Sequence, residues 1–181
     1  MEPGFEKLCT FDIDCDQLYR DWHESSSVIL KIKNPYARTL VNQSVLSNGN
    51  DPLFLNVESK YPLETFNAST IRNEFKGTYT EQVVSLLEQW FNARNLRATR
   101  IKYALLKPAV RTGPAHVDTA YDWRYHLAVK TNPTVFMSVD DVKYPMTEAG
   151  TLYRMHAKVL HWPGNLGPED RLFLTFDVTT L

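Results

Sequence analysis

A chain of 181 residues, 43% hydrophobic, 23% charged and 12% aromatic, has a globular composition and the length of one ordinary domain, enough to bury roughly two thirds of its unfolded surface. Its formal net charge of −1 gives no broad electrostatic footprint for nucleic acid, and no apolar run reaches the roughly 18 residues that cross a bilayer. The start, "MEPGFEKLCTFDID", lacks a basic segment followed by an apolar one, and Cys9 and Cys15 match no zinc spacing. A secretory leader is therefore not expected, and the two cysteines read as reduced thiols of a cytoplasmic protein.

In chain order, "DQLYRDWHE" (16–24) reads as a short helix and "SVILKIK" (27–33) as a strand. Residues 34–77 read as irregular, with turn signals at "NPYA", "SNGNDP" and "KYP". "TYTEQVVSLLEQWFNARN" is the clearest helix. Thr78 and Glu81 have capping-box spacing, and Val83, Leu86, Leu87, Trp90 and Phe91 form an apolar face. The helix at 79–93 is expected to pack outside a sheet through Val83, Leu86, Leu87 and Trp90. A strand follows at 101–108, then strand-like runs at 124–130, 134–139, 151–155 and 171–178. Asp140, Asp141 and Lys143 read as a solvated hairpin tip, and Gly150 as a tight turn. Helices first and short strands afterwards make an α+β, mainly β chain whose C-terminal half is a β-sandwich or jelly roll. With no repeat and no linker, residues 1–181 read as one domain. Residues 1–70 form its N-terminal strand, helix and loop region, 71–100 a helix packed on the sheet, and 101–181 the jelly-roll core.

The chemistry concentrates in "PAHVDTAYDWRYHLAVKTNP" (114–133). His116 and Asp118 are two apart, as are Arg124 and His126, so in extended chain each pair projects from one face. An H-x-D pair is weak evidence alone: five histidines and eleven aspartates produce about 0.3 such pairs by chance. Taken by themselves, His116 and His161 read more simply as satisfied core or surface histidines. A third ligand from a distant strand is available in His161 of "LHWPGNLGPEDRLFLTFDV". Two imidazoles and one carboxylate leave the opposite face of a metal open, which suits iron(II), whereas a closed zinc site wants a fourth protein ligand. Arg171, ten residues after His161, offers a bidentate grip on a carboxylate, and Asn165 lies between in a Pro-Gly-Asn turn. Trp123, Tyr125 and Trp162 read as sandwich core. Tyr103 and Lys107 are within reach of a cosubstrate carboxylate in principle, but packing and solvent explain them equally well.

"HVD", then "RYHLAVKTNP", then "GTLYRMHAKVLHWPGN" and a closing Arg171, with "EFKGTYTEQVV" upstream, resemble the aspartyl/asparaginyl β-hydroxylase family over roughly residues 70–178. The resemblance implies a double-stranded β-helix, or cupin-type jelly roll, with flanking N-terminal helices. It implies an iron(II)- and 2-oxoglutarate-dependent dioxygenase, with dioxygen as the other cosubstrate, that hydroxylates an unactivated C–H bond. His116, Asp118 and His161 would be the catalytic iron ligands. Arg171 would bind the distal carboxylate of 2-oxoglutarate, and Arg124 and His126 would line the same pocket. His156 stands where the family commonly has an acidic residue, and reads as a pocket-rim or supporting residue. The expected partner is a small-molecule or peptide substrate, an amino acid or an Asp, Asn or Pro-type side chain, with neither nucleic acid nor membrane. Two rivals are a metal-binding cupin without oxygenase chemistry, which has no need of Arg171, and an idle jelly-roll binding module, which has no need of all three ligands.

Overall fold

The structure, a computed structural model, describes residues 4–29, 41–45, 75–108, 115–118 and 121–180. Its elements are β1 (Phe5–Thr10), α1 (Cys15–Ile29), β2 (Val41–Val45), α2 (Tyr79–Asn92), β3 (Leu96–Leu106), β4 (Trp123–Lys130), β5 (Val135–Val139), β6 (Val142–Pro145), β7 (Thr151–His156), β8 (His161–Asn165) and β9 (Arg171–Thr180). Six strands form an antiparallel sheet in the order β1-β7-β4-β9-β3-β2, and three form a smaller one, β6-β5-β8. An isolated antiparallel bridge between His116 and His161 adds the segment around His116 beside β8. This is the double-stranded β-helix, mainly β with helices from the N-terminal half. Among the described residues no helix is long and apolar enough to cross a membrane.

Two apolar clusters follow from the period-two alternation of the strands. On the outer face of the large sheet, Tyr103, Leu105, Tyr125, Leu127, Val129, Leu172, Leu174 and Phe176 meet Leu18 and Trp22 of α1 and Val83, Val84, Leu87 and Phe91 of α2. Between the sheets, Ala128, Tyr153, Met155 and Phe173 meet Val135, Met137 and Val139. Asn165 and the ionic residues discussed below are buried on this inner side.

The helix α2 buries Thr80, Val83, Val84, Leu87 and Phe91. Leu86 is 41% exposed and Trp90 is half-buried, so the expected face was rotated: the i, i+4, i+8 row 83/87/91 points at the sheet and Leu86 sits on its flank. The capping box does not form. Thr78 is the N-cap but makes no side-chain cap bond; its Oγ1 donates to the Phe75 carbonyl at 2.7 Å. Glu81 Oε2 accepts from the Gly77 N–H at 2.7 Å. The missing cap comes from α1, where buried Asp21 Oδ2 accepts from both Thr80 N (2.7 Å) and Thr80 Oγ1 (2.9 Å).

Other expectations are corrected as well. Ser27, Val28 and Ile29 belong to α1, and residues 30–33 of the expected strand lie outside the described residues. Within 34–77, Val41–Val45 is a strand paired with β3; residues 46–74 lie outside the described ones. The strands β1, β6 and β8 were not anticipated. "HWPGN" looks like a turn because of its Pro and Gly, yet it is β8, and its glycine is required by packing: a Cβ on Gly164 would collide with the ring of its cross-strand partner Phe136. Asp140 and Asp141, at φ 49° and 63°, are the two residues of a tight β5–β6 hairpin turn, while Lys143 belongs to β6.

The revised helix face predicts a contrast. Leu87→Ala should cost roughly 2–5 kcal/mol of unfolding free energy, and Leu86→Ala at most about 0.5 kcal/mol. Urea unfolding of both variants checks this; equal losses would mean that the buried row is misassigned.

Candidate metal and cosubstrate site

The alternation that sends Tyr125, Leu127, Leu172 and Leu174 outward sends Arg124, His126, Arg171, Phe173, Thr175 and Asp177 inward. Across β4 and β9, Arg124 stands opposite Asp177 and His126 opposite Thr175. Across β3 and β9, Lys102 stands opposite Thr175 and Leu106 opposite Arg171. The inner face therefore carries an ordered series, from Arg124 and Asp177 at one end, past His126, Thr175 and Lys102, to Arg171 at the other.

His116, Asp118 and His161 each offer one ligand atom, and these atoms lie within 4.8 Å of one another. Backbone hydrogen bonds bring them together. His116 N donates to His161 O and His161 N to His116 O, both at 3.0 Å, while Asp118 N donates to Ala157 O at 2.9 Å. The two imidazole centroids are 4.3 Å apart. His161 is 1% exposed, and its Nδ1 lies 2.9 Å from the Val159 carbonyl. A carbonyl only accepts, so Nδ1 carries the hydrogen and Nε2 presents a lone pair. That Nε2 is buried without a hydrogen-bond partner among the described residues and lies 3.4 Å from Asp118 Oδ2, which has the Arg124 guanidinium on its other side, Nη1 at 3.0 Å. Two acceptors facing each other in the interior call for a cation between them. Burial would raise the Asp118 carboxyl, but the positive groups around it, Arg124 among them, outweigh that and hold it below the usual carboxylate range. The carboxylate is thus charged and ready to ligate. This donor set, two imidazoles and a carboxylate, fits a divalent ion with open positions, of which iron(II) is the characteristic case.

Arg124, expected to line the cosubstrate pocket, divides its guanidinium between two carboxylates. Its Nε donates to Asp177 Oδ1 at 2.9 Å, its Nη1 lies 3.0 Å from Asp118 Oδ2, and its guanidinium stacks on Tyr121 at 4.8 Å. Only Nη2 lacks a partner among the described residues. His126 is 5% exposed, and neither ring nitrogen has a partner there. Burial first, then Arg171, Arg124, His161 and Lys102, push its pKa well below the usual value, so it is neutral at pH 7. Arg171 is 2% exposed and lies over the Phe173 ring at 4.1 Å, with Nε and Nη2 unpartnered among the described residues. Burial pulls its pKa down to about 9. A buried guanidinium with two idle donors fits a carboxylate, which would satisfy both at once.

Asn165 anchors this end. Its Nδ2 donates to Leu106 O (3.2 Å) and Glu169 O (2.7 Å), and its Oδ1 accepts from Asn132 Nδ2 (2.9 Å). It thereby ties the β8–β9 connection to the end of β3, directly beside Arg171.

His156 does not join the site. It pairs with Trp123 across β7 and β4, and their rings meet edge-on at 5.1 Å on the outer side of the sheet. Its neighbour Met155 takes the inner position, so the pocket-rim reading was wrong by one step of the alternation. Tyr103 also points outward, bonded to Thr80 Oγ1 and the Leu18 carbonyl, and Lys107 is exposed. The residue of β3 that belongs with the site is Lys102, 5% exposed. Lys102 and Asp177 were both missed. The available signals were a lysine inside the apolar run "RIKYALL" and an aspartate at even spacing from Arg171 in "RLFLTFD".

The sequence profile of the aspartyl/asparaginyl beta-hydroxylase family matches residues 60–180. The chain belongs to that family. It is a hydroxylase. No curated protein matches it in sequence. Solved structures that share the fold of this family member include a Pseudomonas putida prolyl-4-hydroxylase, 13% identical with TM-score 0.53, over 99% of this chain and 94% of that one. An oxidoreductase of the 2OG-Fe(II) oxygenase family from Burkholderia pseudomallei is 11% identical, TM-score 0.56, over 98% and 85%. The non-heme alpha ketoglutarate dependent epimerase SnoN from nogalamycin biosynthesis is 12% identical, TM-score 0.55, over 98% and 76%.

The neutral His126 makes this hydroxylase acid-sensitive in a defined way. Below the ordinary histidine value of 6.5, the unfolded chain takes up a proton that the native chain refuses. Stability from this residue is therefore complete above 6.5 and falls as pH drops, by up to about 1.4 kcal/mol per unit. In urea unfolding of metal-free protein between pH 7.5 and 5.5, His126→Gln should lose less stability than wild type. Parallel pH profiles would show that His126 titrates normally.

Proposed function

We propose that this hydroxylase is an Fe(II)- and 2-oxoglutarate-dependent dioxygenase, with His116, Asp118 and His161 as iron ligands and Arg171 as the anchor for the cosubstrate's distal carboxylate. The observation that carries the reading is Arg171: a buried guanidinium with two idle donors, on the same inner face as a convergent His-Asp-His group. A metal-binding fold of this kind without oxygenase chemistry has no use for it. When bound, iron(II) with 2-oxoglutarate and dioxygen supplies oxidative decarboxylation coupled to C–H hydroxylation.

The protein's own part is placement, dryness and charge. Arg171 neutralises one carboxylate of the cosubstrate and fixes its direction along the inner face. Uncharged His126, buried midway, offers one N–H donor and one acceptor without adding a further positive charge. The Nη2 of Arg124, on a guanidinium that reaches Asp118 through Nη1, remains as a donor for a ligand oxygen. Phe173 and Tyr153 supply apolar walls that exclude water. The substrate of this reading is an amino acid or an Asp, Asn or Pro-type side chain in a small molecule or peptide.

Anaerobic addition of iron(II) and then 2-oxoglutarate should raise a visible charge-transfer band that neither produces alone. Arg171→Ala should weaken 2-oxoglutarate binding by roughly thirtyfold or more, since removing one partner of a buried charge pair costs ~2–5 kcal/mol and each 1.4 kcal/mol is about tenfold. Metal affinity should hardly change. Arg171→Lys should rescue in part, because a point charge cannot reproduce the planar fork. Unchanged 2-oxoglutarate affinity in Arg171→Ala, measured by calorimetry with Mn(II) present, would return the non-oxygenase reading to first place.

A further inference from the structure

We propose that Asp177 is a positioning residue for the metal centre: by taking the Nε edge of Arg124, it keeps that guanidinium from closing on Asp118 and so leaves the Asp118 carboxylate to the ion. The proposal rests on reading His116, Asp118 and His161 as a metal site.

The geometry shows how Arg124 is divided. Asp177 is 1% exposed, stands opposite Arg124 in the β4–β9 register, and accepts an aligned hydrogen bond from Nε at 2.9 Å. Asp118 receives only the Nη1 approach at 3.0 Å, and its Oδ2 is not the acceptor of an aligned hydrogen bond. An arginine facing a single carboxylate normally makes two parallel N–H···O bonds, engaging both oxygens. Such a clamp on Asp118 would occupy the lone pairs that a metal needs and hold the carboxylate against the large sheet. With Nε held by Asp177, Arg124 cannot offer Asp118 its side-on fork through Nε, and it meets Oδ2 through Nη1 with Nη2 left over. Asp118 Oδ2 stays 3.4 Å from His161 Nε2, and Oδ1 is 3.9 Å from His116 Nε2, so one carboxylate oxygen faces each imidazole.

Charge works in the same direction. Asp177 offsets part of the Arg124 charge, so the guanidinium 3.0 Å from Asp118 cancels less of that carboxylate. Without Asp177, Arg124 would cancel more of it. The device thus sets how much of Asp118 the metal receives while touching neither the metal nor the cosubstrate.

The test measures Mn(II) affinity by calorimetry on the full chain, with thermal melts of the metal-free variants alongside. Asp177→Ala should weaken Mn(II) binding by about tenfold or more, the usual effect of losing a partner that orients a ligand. Asp177→Asn keeps an acceptor oxygen for Nε but not the charge, and should lose less, about threefold. The deciding variant is Arg124→Met/Asp177→Ala, which removes the competitor together with its restraint. Its Mn(II) affinity should recover towards wild type, which a merely structural role of Asp177 would not produce. Wild-type affinity in either single variant, or a double variant weaker than Asp177→Ala, overturns the proposal. Failure of the wild-type chain to bind Mn(II) at all would instead overturn the metal-site reading beneath it.

Discussion

A β-strand offers its neighbours two faces and cannot choose which residue goes to which: successive side chains alternate. In β4 and β9 this constraint organises the molecule. Tyr125, Leu127, Leu172, Leu174 and Phe176 are needed against the helices, which obliges Arg124, His126, Arg171, Thr175 and Asp177 to turn towards the smaller sheet. A slip of one residue would put three ionic side chains under α1 and α2 and empty the site. The apolar outer face therefore does functional work, since its burial holds costly polar groups inside at their register. The contact of Asp21 with Thr80 and of Thr80 with Tyr103 belongs to the same arrangement, tying both helices to β3.

Inside, the basic residues Lys102, Arg124 and Arg171 outnumber the carboxylates Asp118 and Asp177, three to two. A divalent cation alone would add two positive charges to this interior, and a dicarboxylate alone would add two negative ones. Together they leave its charge as it was. The interior thus suits the pair of ligands better than either singly, an electrostatic reason for the two to favour each other's binding in a low-dielectric space. The neutral state of His126 fits this balance, since a further charge among three cations would be strongly disfavoured.

The sequence made the three convergent residues and Arg171 legible because their spacing is local or tied to a motif: H-x-D in one extended segment, and His161 ten residues before Arg171. It also showed α2, the strands β4, β5, β7 and β9, and the architecture. What it hid depended on parity or on partners far along the chain. His156 was assigned to the wrong face, and Tyr103 and Lys107 were weighed where Lys102 belonged, because alternation alone does not say which of its two sets is inside. Asp177 looked like the end of an apolar strand until the β4–β9 register put it opposite Arg124. The cap of α2 was sought at Thr78 and Glu81, within local reach, whereas Asp21 supplies it from 59 residues away. "HWPGN" was read as a turn because the need for Gly164 lies in the Phe136 ring on another strand.

The reciprocal backbone bonds between His116 and His161 bear on the thermodynamics of metal uptake. These residues are 45 positions apart in the chain, and bringing them together carries the entropic cost of closing a loop of that size. The isolated bridge between them, set against β8, is where the fold meets that cost. On the proposed metal reading, an incoming ion would have mainly water to shed and side-chain rotamers to settle, and its affinity would report coordination chemistry more than chain ordering. Zinc-finger-like domains, whose folding and metal binding are one event, stand at the opposite extreme. On the same reading, one divalent ion would leave and another take its place without the sheet coming apart.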